Sequence, residues 1–383
     1  MRKVLFVTGT RAEYGLMKTT LNKIKESSFL ELFIVVTGAH LTDKYGNTAK
    51  EIEADGFKIA ANIPAPIITN ENIRIPSEMG SLMKELGIIM EKIKPDFLLV
   101  LGDRYEMLAT TSVAVGMNVP IAHISGGEIT EGAIDDQIRH AITKMAHIHF
   151  PGASEYADNI KKMGEESWRI YDVGDPGIEN IKQVNILKKE ELEESLNIKI
   201  TEKTLLVTYH PVTLEIDKLE EQIANLIMAL KAHMGTKIIT YPNFDEGSRI
   251  IISKLKKYAK EDCSVCLVKS LGIDKYLSVM KYCGAVVGNS SSAIVEAPFM
   301  KVPAVNIGNR QKGRLMAGSI ICCDYTKEAI CASIKKALSP EFREIVHEVK
   351  SLYGEGNTSD EIVKVLETIE LGEHLLKKKL VWD

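Results

Sequence analysis

The chain has 383 residues, more than one average domain core needs, so two domains are expected. Hydrophobic residues make up 45% of the chain and charged residues 26%, the usual composition of a soluble globular protein. The formal net charge is −4 and no basic cluster precedes Lys377–Lys379, which argues against a nucleic-acid-binding surface.

The N-terminus and the cysteines bear on the cellular compartment. The apolar run Val4–Val7 is too short for a signal peptide or a membrane span, so no membrane partner is expected. The six cysteines include Cys263, Cys266 and the pair Cys322–Cys323, and no second pair stands at zinc-ligand spacing. We therefore expect structural thiols in a reduced cytoplasm, and no bound metal.

Apolar runs alternate with amphipathic stretches through the first half of the chain. This alternation predicts a parallel sheet with right-handed crossovers. The predicted strands are 4–9, 32–38, 97–102, 120–125 and 148–152, and the predicted helices include 13–25, 77–93, 105–116 and 134–145. In such sheets ligands bind beyond the carboxyl ends of the strands, so the loops at those ends are candidate sites.

The pattern changes at 172–200, where a charged stretch predicts a surface helix and a linker. It then resumes with predicted strands at 205–210, 237–242, 265–270, 284–288 and 303–308, and predicted helices at 217–233 and 248–260. We expect an α/β fold of two Rossmann-like domains with parallel sheets, residues 1–172 and 173–357. A last predicted helix, 360–378, has no strand after it, and segment 358–383 is expected to pack back on the first domain.

Polar residues gather in the loops that follow the first-domain strands. These loops are Gly9-Thr10-Arg11, Gly38-Ala39-His40, Gly102-Asp103-Arg104 and Ser125-Gly126-Gly127-Glu128. Neighbouring strand ends lie about 5 Å apart in the pairing direction, so the loops converge. The sequence GTRAEYG lacks the GxGxxG fingerprint of a dinucleotide site.

Chemically active side chains are densest in the same domain: Asp103, Arg104, His123, Glu128, Asp135, Asp136 and Arg139. Several carboxylates in one place can hold different protonation states, because like charges raise one another's pKa. A paired acid and base suits proton abstraction from a sugar carbon. The alternative for Asp135 and Asp136 is that they only stabilise the N-terminus of a helix through its dipole.

The stretch GAVVGNSSSAIVEAPFM (284–300) predicts a buried strand that turns directly into a helix. Such a turn, here at Ser290 and Ser291, has free backbone N–H groups and the positive end of a helix dipole. Both features favour the binding of a phosphate. Glu296 is placed to reach the hydroxyls of a ribose, and Arg310, after the next strand, supplies a positive group. The alternative is that Ser290 is an ordinary N-cap and Glu296 an exposed helix residue.

Three further polar residues follow predicted strands. His210 and Asn243 end two strands of the second domain, where we expect contact with a pyrophosphate or a sugar. Arg11, after the first strand, is expected to reach the pyrophosphate from the first domain. The alternative for His210 is structural, since a single histidine at a strand end makes its hydrogen bonds within the protein about as often as it contacts a ligand.

Nine short motifs occur in one order along the chain: GTRAEYG, TGAHLTDKYGNT, LGDRYE, HISGGE, DDQIRHAITK, HPVT, YPNFDEGS, GNSSSAIVE and NIGNRQKGR. In this order they resemble the hydrolysing UDP-N-acetylglucosamine 2-epimerase family, which makes N-acetylmannosamine for sialic-acid synthesis. The similarity extends from the first strand to the segment YGEGNTSDEIV, which is essentially the whole chain.

The resemblance implies a glycosyltransferase-B type fold with UDP in an interdomain cleft, no cofactor, and a homodimer or homotetramer. It implies catalytic carboxylates at Asp103 and Asp135. It implies UDP contacts at Arg11, His210, Asn243, Ser290, Ser291, Glu296 and Arg310, and sugar contacts at His40, Arg104, His123, Asp136 and Arg139. Some family members have a glutamate where this chain has Ser125, and Glu128, with Glu131 behind it, is the nearest replacement for that acid/base.

The reaction that the resemblance implies converts UDP-N-acetylglucosamine and water to N-acetylmannosamine and UDP, through elimination to a glycal and rehydration with inversion at C2. The nearest alternative is the same chemistry on a UDP-2,4-diacetamido-2,4,6-trideoxy sugar, on the way to legionaminic acid. A non-hydrolysing 2-epimerase, a glycosyltransferase of the same fold and a non-catalytic sugar-nucleotide-binding regulator are further alternatives.

Overall fold

The computed structural model describes residues 1–42, 48–66, 73–130, 134–242 and 247–382, apart from the side chains of residues 213 and 214. The chain forms two compact units. The first unit comprises Met1–Asn180 and the segment that begins at Tyr353, and the second unit comprises Ile181–Leu352. No helix in the described part of the chain is both long enough and apolar enough to cross a membrane.

Each unit contains a six-stranded parallel sheet, as far as the chain is described. In chain order the strands are β1 (Arg2–Thr8), β2 (Leu30–Thr37), β3 (Ile59–Ile63), β4 (Phe97–Leu101), β5 (Ile121–Ile124), β6 (Ile148–Phe150), β7 (Leu205–Thr208), β8 (Lys237–Thr240), β9 (Val265–Val268), β10 (Ala285–Gly288), β11 (Ala304–Ile307) and β12 (Ile320–Cys323). The orders across the sheets are β3-β2-β1-β4-β5-β6 and β12-β11-β10-β7-β8-β9. Both are the doubly wound Rossmann order, so the predicted α/β fold is confirmed.

Helices separate the strands along the chain, except between β11 and β12. In chain order they are α1 (Arg11–Glu26), α2 (Ala49–Ala54), α3 (Arg74–Ile93), α4 (Tyr105–Gly116), α5 (Ile134–Met145), α6 (Ser154–Lys162), α7 (Pro176–Gln183), α8 (Lys189–Leu196), α9 (Leu219–Ala232), α10 (Ser248–Glu261), α11 (Gly272–Tyr282), α12 (Glu296–Phe299), α13 (Lys327–Ala337), α14 (Pro340–Glu348), α15 (Thr358–Thr368) and α16 (Glu373–Leu376). Short 3₁₀ turns occur at Gly38–Leu41, Ser167–Arg169, Thr213–Lys218 and Ser291–Ala293.

The sheet of the first unit is buried on both faces. Phe6 of β1 packs in one cluster with Met17 of α1 and Leu366 of α15. Successive side chains of a strand point to opposite faces of the sheet. Leu5, the residue before Phe6, therefore packs on the other face, in a cluster with Met107 of α4. Burial of each such side chain contributes about 1.5–3 kcal/mol to folding. Because both faces are covered, the central strands are continuous apolar runs, which is why the sequence predicted them.

The second unit is built in the same way around β7 and β10. Val207 and Val287, on these neighbouring strands, pack with Leu226 of α9, Leu255 of α10 and Ile330 of α13. These helices cover one face of the sheet. Their packing fixes the carboxyl ends of β7 and β10 beside each other, which matters for the site described below.

Two strands were missed by the sequence prediction, and both lie at sheet edges. β3 alternates between partly buried and exposed residues, and none of the residues of β12 is fully buried. An edge strand contacts one neighbouring strand and is covered incompletely. The sequence of β3, IAANI, therefore lacks the long apolar run by which buried parallel strands are identified.

Two predicted helices are shorter than expected. The helix predicted directly after β10 is a 3₁₀ turn, Ser291–Ala293, followed by the four-residue α12. Proline is tolerated only in the first turn of a helix, so α12 begins two residues before Pro298. The predicted C-terminal helix 360–378 is divided into α15 and α16, with Gly372, at φ 132°, just before the second.

The C-terminal segment is held on the first unit by buried polar contacts. Lys378 donates hydrogen bonds to the carbonyl oxygens of Lys144 (2.6 Å) and Ala146 (2.5 Å), at the end of α5, and its Nζ lies 2.8 Å from Glu165. Glu165 also accepts from Lys144 (2.5 Å) and lies 3.1 Å from the buried ring of His149. A cation at the C-terminus of a helix is favoured by the helix dipole. The last turn of α5 is thus capped by a residue more than 230 positions later in the chain.

We expect the substitution Lys378→Met to lower the free energy of unfolding by about 1–3 kcal/mol, because it removes a charge-assisted partner from the buried Glu165 and from two helix carbonyls. The matched control is Lys377→Met, whose ammonium is 75% exposed and pairs only with the exposed Glu373 among the described contacts. That change should stay within about 0.5 kcal/mol. Urea denaturation of the two variants measures the difference, and equal effects would contradict the assignment.

Candidate functional site

The carboxyl ends of β1 and β4 mark the switch point of the first sheet. The two strands are paired in parallel, but the helices that follow them pack in different core clusters: α1 with Phe6, and α4 with Leu5. The connections from adjacent strands therefore leave in opposite directions. Crevices outside such switch points are where ligands bind in open α/β sheets.

Asp103, in the loop after β4, is ion-paired with Arg139 of α5. Arg139 is on the buried face of α5 and also donates to the carbonyl of Glu128 (3.0 Å) and to the hydroxyl of Thr130 (3.1 Å). Its side chain is only 5% exposed, whereas that of Asp103 is 23% exposed. Arg139 was predicted to contact the sugar. That contact remains a prediction; in the structure the guanidinium of Arg139 lies among protein groups and orients the more exposed Asp103.

Asp135 and Asp136 begin α5, as predicted, but their surroundings differ. Asp136 accepts a hydrogen bond from the backbone of Thr130 (2.7 Å) and lies 3.6 Å from Arg139, so it closes the loop before the helix. Asp135 lies at the surface one turn before Arg139. Partial burial of its carboxyl and the charge of Asp103 raise the pKa of Asp135, while Arg104 and Arg139 lower it. Asp103 is therefore close enough for its charge to raise the pKa of Asp135.

The loop after β5 contains Ser125 and Glu128. Ser125 has a positive φ of 62°, which is unusual for a residue with a side chain and marks a tight local turn. Two residues later, Gly127 packs so closely on α6 that a methyl group there would lie 2.3 Å from the carbonyl oxygen of Tyr156. Glu128 follows and is only 6% exposed. Its predicted catalytic role remains a prediction, and Glu131 lies outside the described residues.

The two histidines predicted to contact the sugar are buried. His123 donates from Nε2 to the carbonyl oxygen of Gly102 (2.8 Å), the residue before Asp103, and burial lowers the pKa of His123 to about 3. His40 lies between the hydroxyls of Thr8 (3.1 Å) and Thr48 (2.7 Å), and burial lowers its pKa to about 4. Both rings are therefore neutral at pH 7. In this structure they brace the loops after β1 and β4, and their contact with the sugar remains a prediction.

Two buried carboxyls beside Arg104 were absent from the predicted site. Oε2 of Glu13 accepts from the backbone N–H groups of Gly9 (2.8 Å) and Thr10 (3.1 Å), completing a capping box at the start of α1. Its Oε1 lies 3.5 Å from Nε of Arg104, and no described residue donates a hydrogen bond to it. Glu106, in the first turn of α4, forms two hydrogen bonds with Arg104. The T-x-x-E spacing at Thr10 predicts the capping box but not the proximity to Arg104.

The second sheet has its own switch point between β7 and β10, and Asn289 links the two strand ends. Asn289 Oδ1 accepts from the backbone N–H of His210 (2.7 Å), and Asn289 Nδ2 donates to the carbonyl of His210 (2.8 Å). The carbonyl of Asn289 accepts from Arg310 (3.1 Å) and from Gln311 (2.9 Å). The predicted site residues His210 and Arg310 are thus brought together by a residue that the prediction did not assign.

A close approach of backbones fixes the same turn. Gly288, at φ 140°, ends β10, and a methyl group on it would lie 1.9 Å from the carbonyl oxygen of Thr208 in β7. Only glycine fits there. Ser290 caps the 3₁₀ turn by accepting from the N–H of Ser292 (3.3 Å), and Ser291 is exposed beside it. The helix expected to begin at this turn is only a single 3₁₀ turn, Ser291–Ala293, so its dipole is correspondingly short.

The remaining predicted nucleotide contacts are spread over both units. Burial, with the charge of Arg310, lowers the pKa of His210 to about 4, so the ring is neutral at pH 7. Burial raises the pKa of Glu296, while the hydroxyl of Ser292 and the charge of Arg314 lower it. Arg11, in the first unit, is exposed and ion-paired with Glu51 of α2 at 2.8 Å. Asn243 lies outside the described residues.

Residues 22–367 match the family model described as UDP-N-acetylglucosamine 2-epimerase, which is about nine-tenths of the chain. The chain belongs to the UDP-N-acetylglucosamine 2-epimerase family. Among the described residues of this family member, no group of three or more His, Cys, Asp or Glu side chains is arranged to hold a metal ion.

Two curated relatives and one solved structure extend this result. The chain is 39% identical to "GDP/UDP-N,N'-diacetylbacillosamine 2-epimerase (hydrolyzing)" of Campylobacter jejuni, over 90% of this chain and 89% of that protein. It is 34% identical to "UDP-N,N'-diacetylbacillosamine 2-epimerase (hydrolyzing)" of Legionella pneumophila, over 99% of each. The fold matches the UDP-GlcNAc 2-epimerase of Neisseria meningitidis bound to UDP-GlcNAc with a TM-score of 0.75, at 19% identity over 95% of this chain and 99% of the other.

The position of Glu13 in this family member predicts a pH-dependent stability. Burial raises the pKa of Glu13 to about 7 from an ordinary value near 4.5. Arg104 opposes the rise, Glu106 adds to it, and His40 is near through the shared contact with Thr8. Because the folded-state pKa lies above the unfolded one, the stabilisation is complete below pH 4.5 and is lost as the pH rises through 7.

We expect Glu13→Gln to gain stability relative to the unsubstituted protein as the pH rises from 5 to 8, by an amount on the order of 3 kcal/mol at most. Glutamine keeps an acceptor for the N–H groups of Gly9 and Thr10 but has no charge to lose. The measurement is urea denaturation of both proteins at pH 5 and pH 8. Glu26→Gln, at an exposed position of α1, is the control. A stability difference that is the same at both pH values would refute the assignment.

Proposed function

We propose that the protein is a hydrolysing 2-epimerase that converts a UDP-linked 2,4-diacetamido-2,4,6-trideoxy sugar and water to UDP and the free sugar with C2 inverted. The observation that carries the chemistry is the pair of carboxyls Asp103 and Asp135 at one sheet edge, with the pKa of Asp135 raised in part by the charge of Asp103. The choice of sugar is supported by the similarity to the two hydrolysing diacetylbacillosamine epimerases. It replaces the sequence-based preference for UDP-N-acetylglucosamine.

The two carboxyls suit different steps of proton transfer. The ion pair with Arg139 orients Asp103, which suits Asp103 to remove the proton from C2. As that C–H bond breaks, the C1–O bond to UDP breaks with its electron pair, and a C1=C2 double bond forms. Asp135, whose pKa is raised, suits the delivery of a proton to C2 from the opposite side. Water adds its hydroxyl to C1, so the products are UDP and the free 2-epimer.

The leaving diphosphate must carry much of the barrier, because the C2 proton is not next to a carbonyl. The second unit has suitable donors in the turn after β10, at Ser290 and Ser291. Arg310 lies near them because it donates a hydrogen bond to the carbonyl of Asn289, the residue before Ser290. A donor that is fixed before the reaction costs no reorganisation when charge develops, and each is typically worth about 3–4 kcal/mol. The hydrogen bonds of Asn289 with His210 and Gln311 keep this turn in place.

UDP-N-acetylglucosamine is the second candidate substrate. It is favoured by the description of the family model that matches residues 22–367. The two candidates share the diphosphate and the acetamido group at C2, and they differ at C4 and C6 of the sugar. The same carboxyls would act on either substrate.

Product analysis by NMR in deuterated water distinguishes the candidates. We expect at least one of the two UDP-sugars to give UDP and a free sugar that carries deuterium at C2. We also expect kcat/KM to be higher for the diacetamido-trideoxy sugar. A higher kcat/KM for UDP-N-acetylglucosamine would contradict the proposed substrate. A product that still carries UDP would indicate the non-hydrolysing reaction, and a free sugar without deuterium at C2 would contradict the elimination.

Substitution of Asp103 tests its role as the base. Asp103→Asn keeps the shape of the side chain but cannot accept a proton, so turnover should fall by a factor of about 10²–10⁴. UDP binding, measured by calorimetry, should change by less than about threefold, since the nucleotide contacts proposed above do not include Asp103. Asp158→Asn, whose carboxyl is exposed and paired with Lys161, should leave turnover unchanged. Near-normal turnover of Asp103→Asn would exclude Asp103 as the base.

A further inference from the structure

We infer that Glu106 is a positioning residue that fixes the guanidinium of Arg104 for the sugar, with Glu13 as its second support. The inference rests on the proposed function, since it concerns the same substrate. Neither carboxyl was among the residues predicted from the sequence. Their geometry, their burial and the glycines around them point to one purpose, which is to hold Arg104.

The contact between Glu106 and Arg104 is bidentate. Nε of Arg104 donates to Oε2 of Glu106 (3.2 Å), and Nη2 donates to Oε1 (3.1 Å). Two parallel hydrogen bonds fix the plane of a guanidinium as well as its position. Glu13 adds a third contact to the same Nε, at 3.5 Å. The guanidinium is therefore held along the edge that carries Nε and Nη2.

The exposure of these side chains differs sharply. Those of Glu106 and Glu13 are 4% and 10% exposed, whereas that of Arg104 is 42% exposed. Exposed ion pairs contribute little to stability, and even a buried pair is weak evidence of a stabilising role. Here the carboxylates lie inside and the cation projects outward, beside Asp103. Among the described residues, the hydrogen bonds and ion pairs of Arg104 use Nε and Nη2, so the Nη1 edge can bind an oxygen of a ligand.

Two glycines make room for the carboxylate of Glu106. A methyl group at Gly9 would lie 3.2 Å from Oε1 of Glu106, and one at Gly38 would lie 3.1 Å from the same atom. Both distances are shorter than comfortable contacts. Gly38 also has a φ of 57°, in the left-handed region that favours glycine. The loops after β1 and β2 thus allow the carboxylate to approach, and Glu106 reaches them from α4.

The cluster also acts on the proposed acid. The pKa of Asp135 is lowered by the charge of Arg104 and raised by that of Glu106, after the larger effects of burial and Asp103. A displaced Arg104 would therefore change both the contact to the sugar and the protonation of Asp135. This gives the inference a readout that a purely structural role would not produce.

A double-mutant cycle in kcat/KM tests the inference. Glu106→Gln in the otherwise unchanged protein should lower kcat/KM about tenfold to hundredfold, because the bidentate charged contact is lost. In the background Arg104→Met, the same Glu106→Gln change should alter kcat/KM by less than about threefold, since its effect passes through Arg104. Glu220→Gln, at an exposed carboxylate of the second unit paired with Lys254, is the control.

Two results would overturn the inference. One is an equal effect of Glu106→Gln in both backgrounds, which would show that Glu106 acts independently of Arg104. The other is an unchanged kcat/KM and pH profile for Glu106→Gln alone. If the unsubstituted protein turns over neither UDP-sugar, the proposed function fails. The same four proteins are then compared by their free energies of unfolding. There, additive changes overturn the coupling of Glu106 to Arg104, and non-additive changes support it.

Discussion

Parallel pairing of every strand is the constraint on which the rest of the structure depends. In a parallel sheet all strands end at the same edge, so the loops after β1, β4 and β5 must lie together whatever their sequences are. The same holds for the loops after β7 and β10. The fold thus brings residues from distant parts of the chain together, and no direct interaction among those residues is needed for this. What the side chains add is the fixing of those loops in one conformation.

That fixing is done largely by buried polar groups. His123, Glu13 and Asn289 each bind backbone atoms of a strand end, and each is almost completely buried. A buried polar group is costly when its partner moves away, so these contacts oppose movement of the loops more strongly than exposed ones would. Burial has a second consequence. It keeps His123 neutral near pH 7 and raises the pKa of Glu13 to about 7, so the Glu13 carboxyl is only partly ionised there.

The sequence predicted what depends on local patterns and neighbouring strands. The buried strands, the helices α4 and α5 and the gathering of Asp103, Asp135 and Arg139 follow from apolar runs and from strand-end positions. The direction in which a side chain points does not follow from these patterns. The burial of His40 and His123 was not predicted, and Glu106 becomes part of the cluster only because α4 brings it against Gly9 and Gly38. The edge strand β3 and the short length of α12 were missed because partial exposure and Pro298 weaken the local signal.

Asp103 and Arg104 show how a loop between a strand and a helix can be rigid without apolar packing. They are adjacent in sequence and opposite in charge, and each is paired with residues of other elements: Asp103 with Arg139 of α5, and Arg104 with Glu106 of α4 and Glu13 of α1. The loop is therefore tied to three helices. In all three pairs the more buried partner comes from a helix and the more exposed one from the loop. Because each loop residue keeps an exposed edge, a substrate can meet a carboxylate and a guanidinium that are already oriented, and the ordering of the loop is completed during folding and not during the reaction.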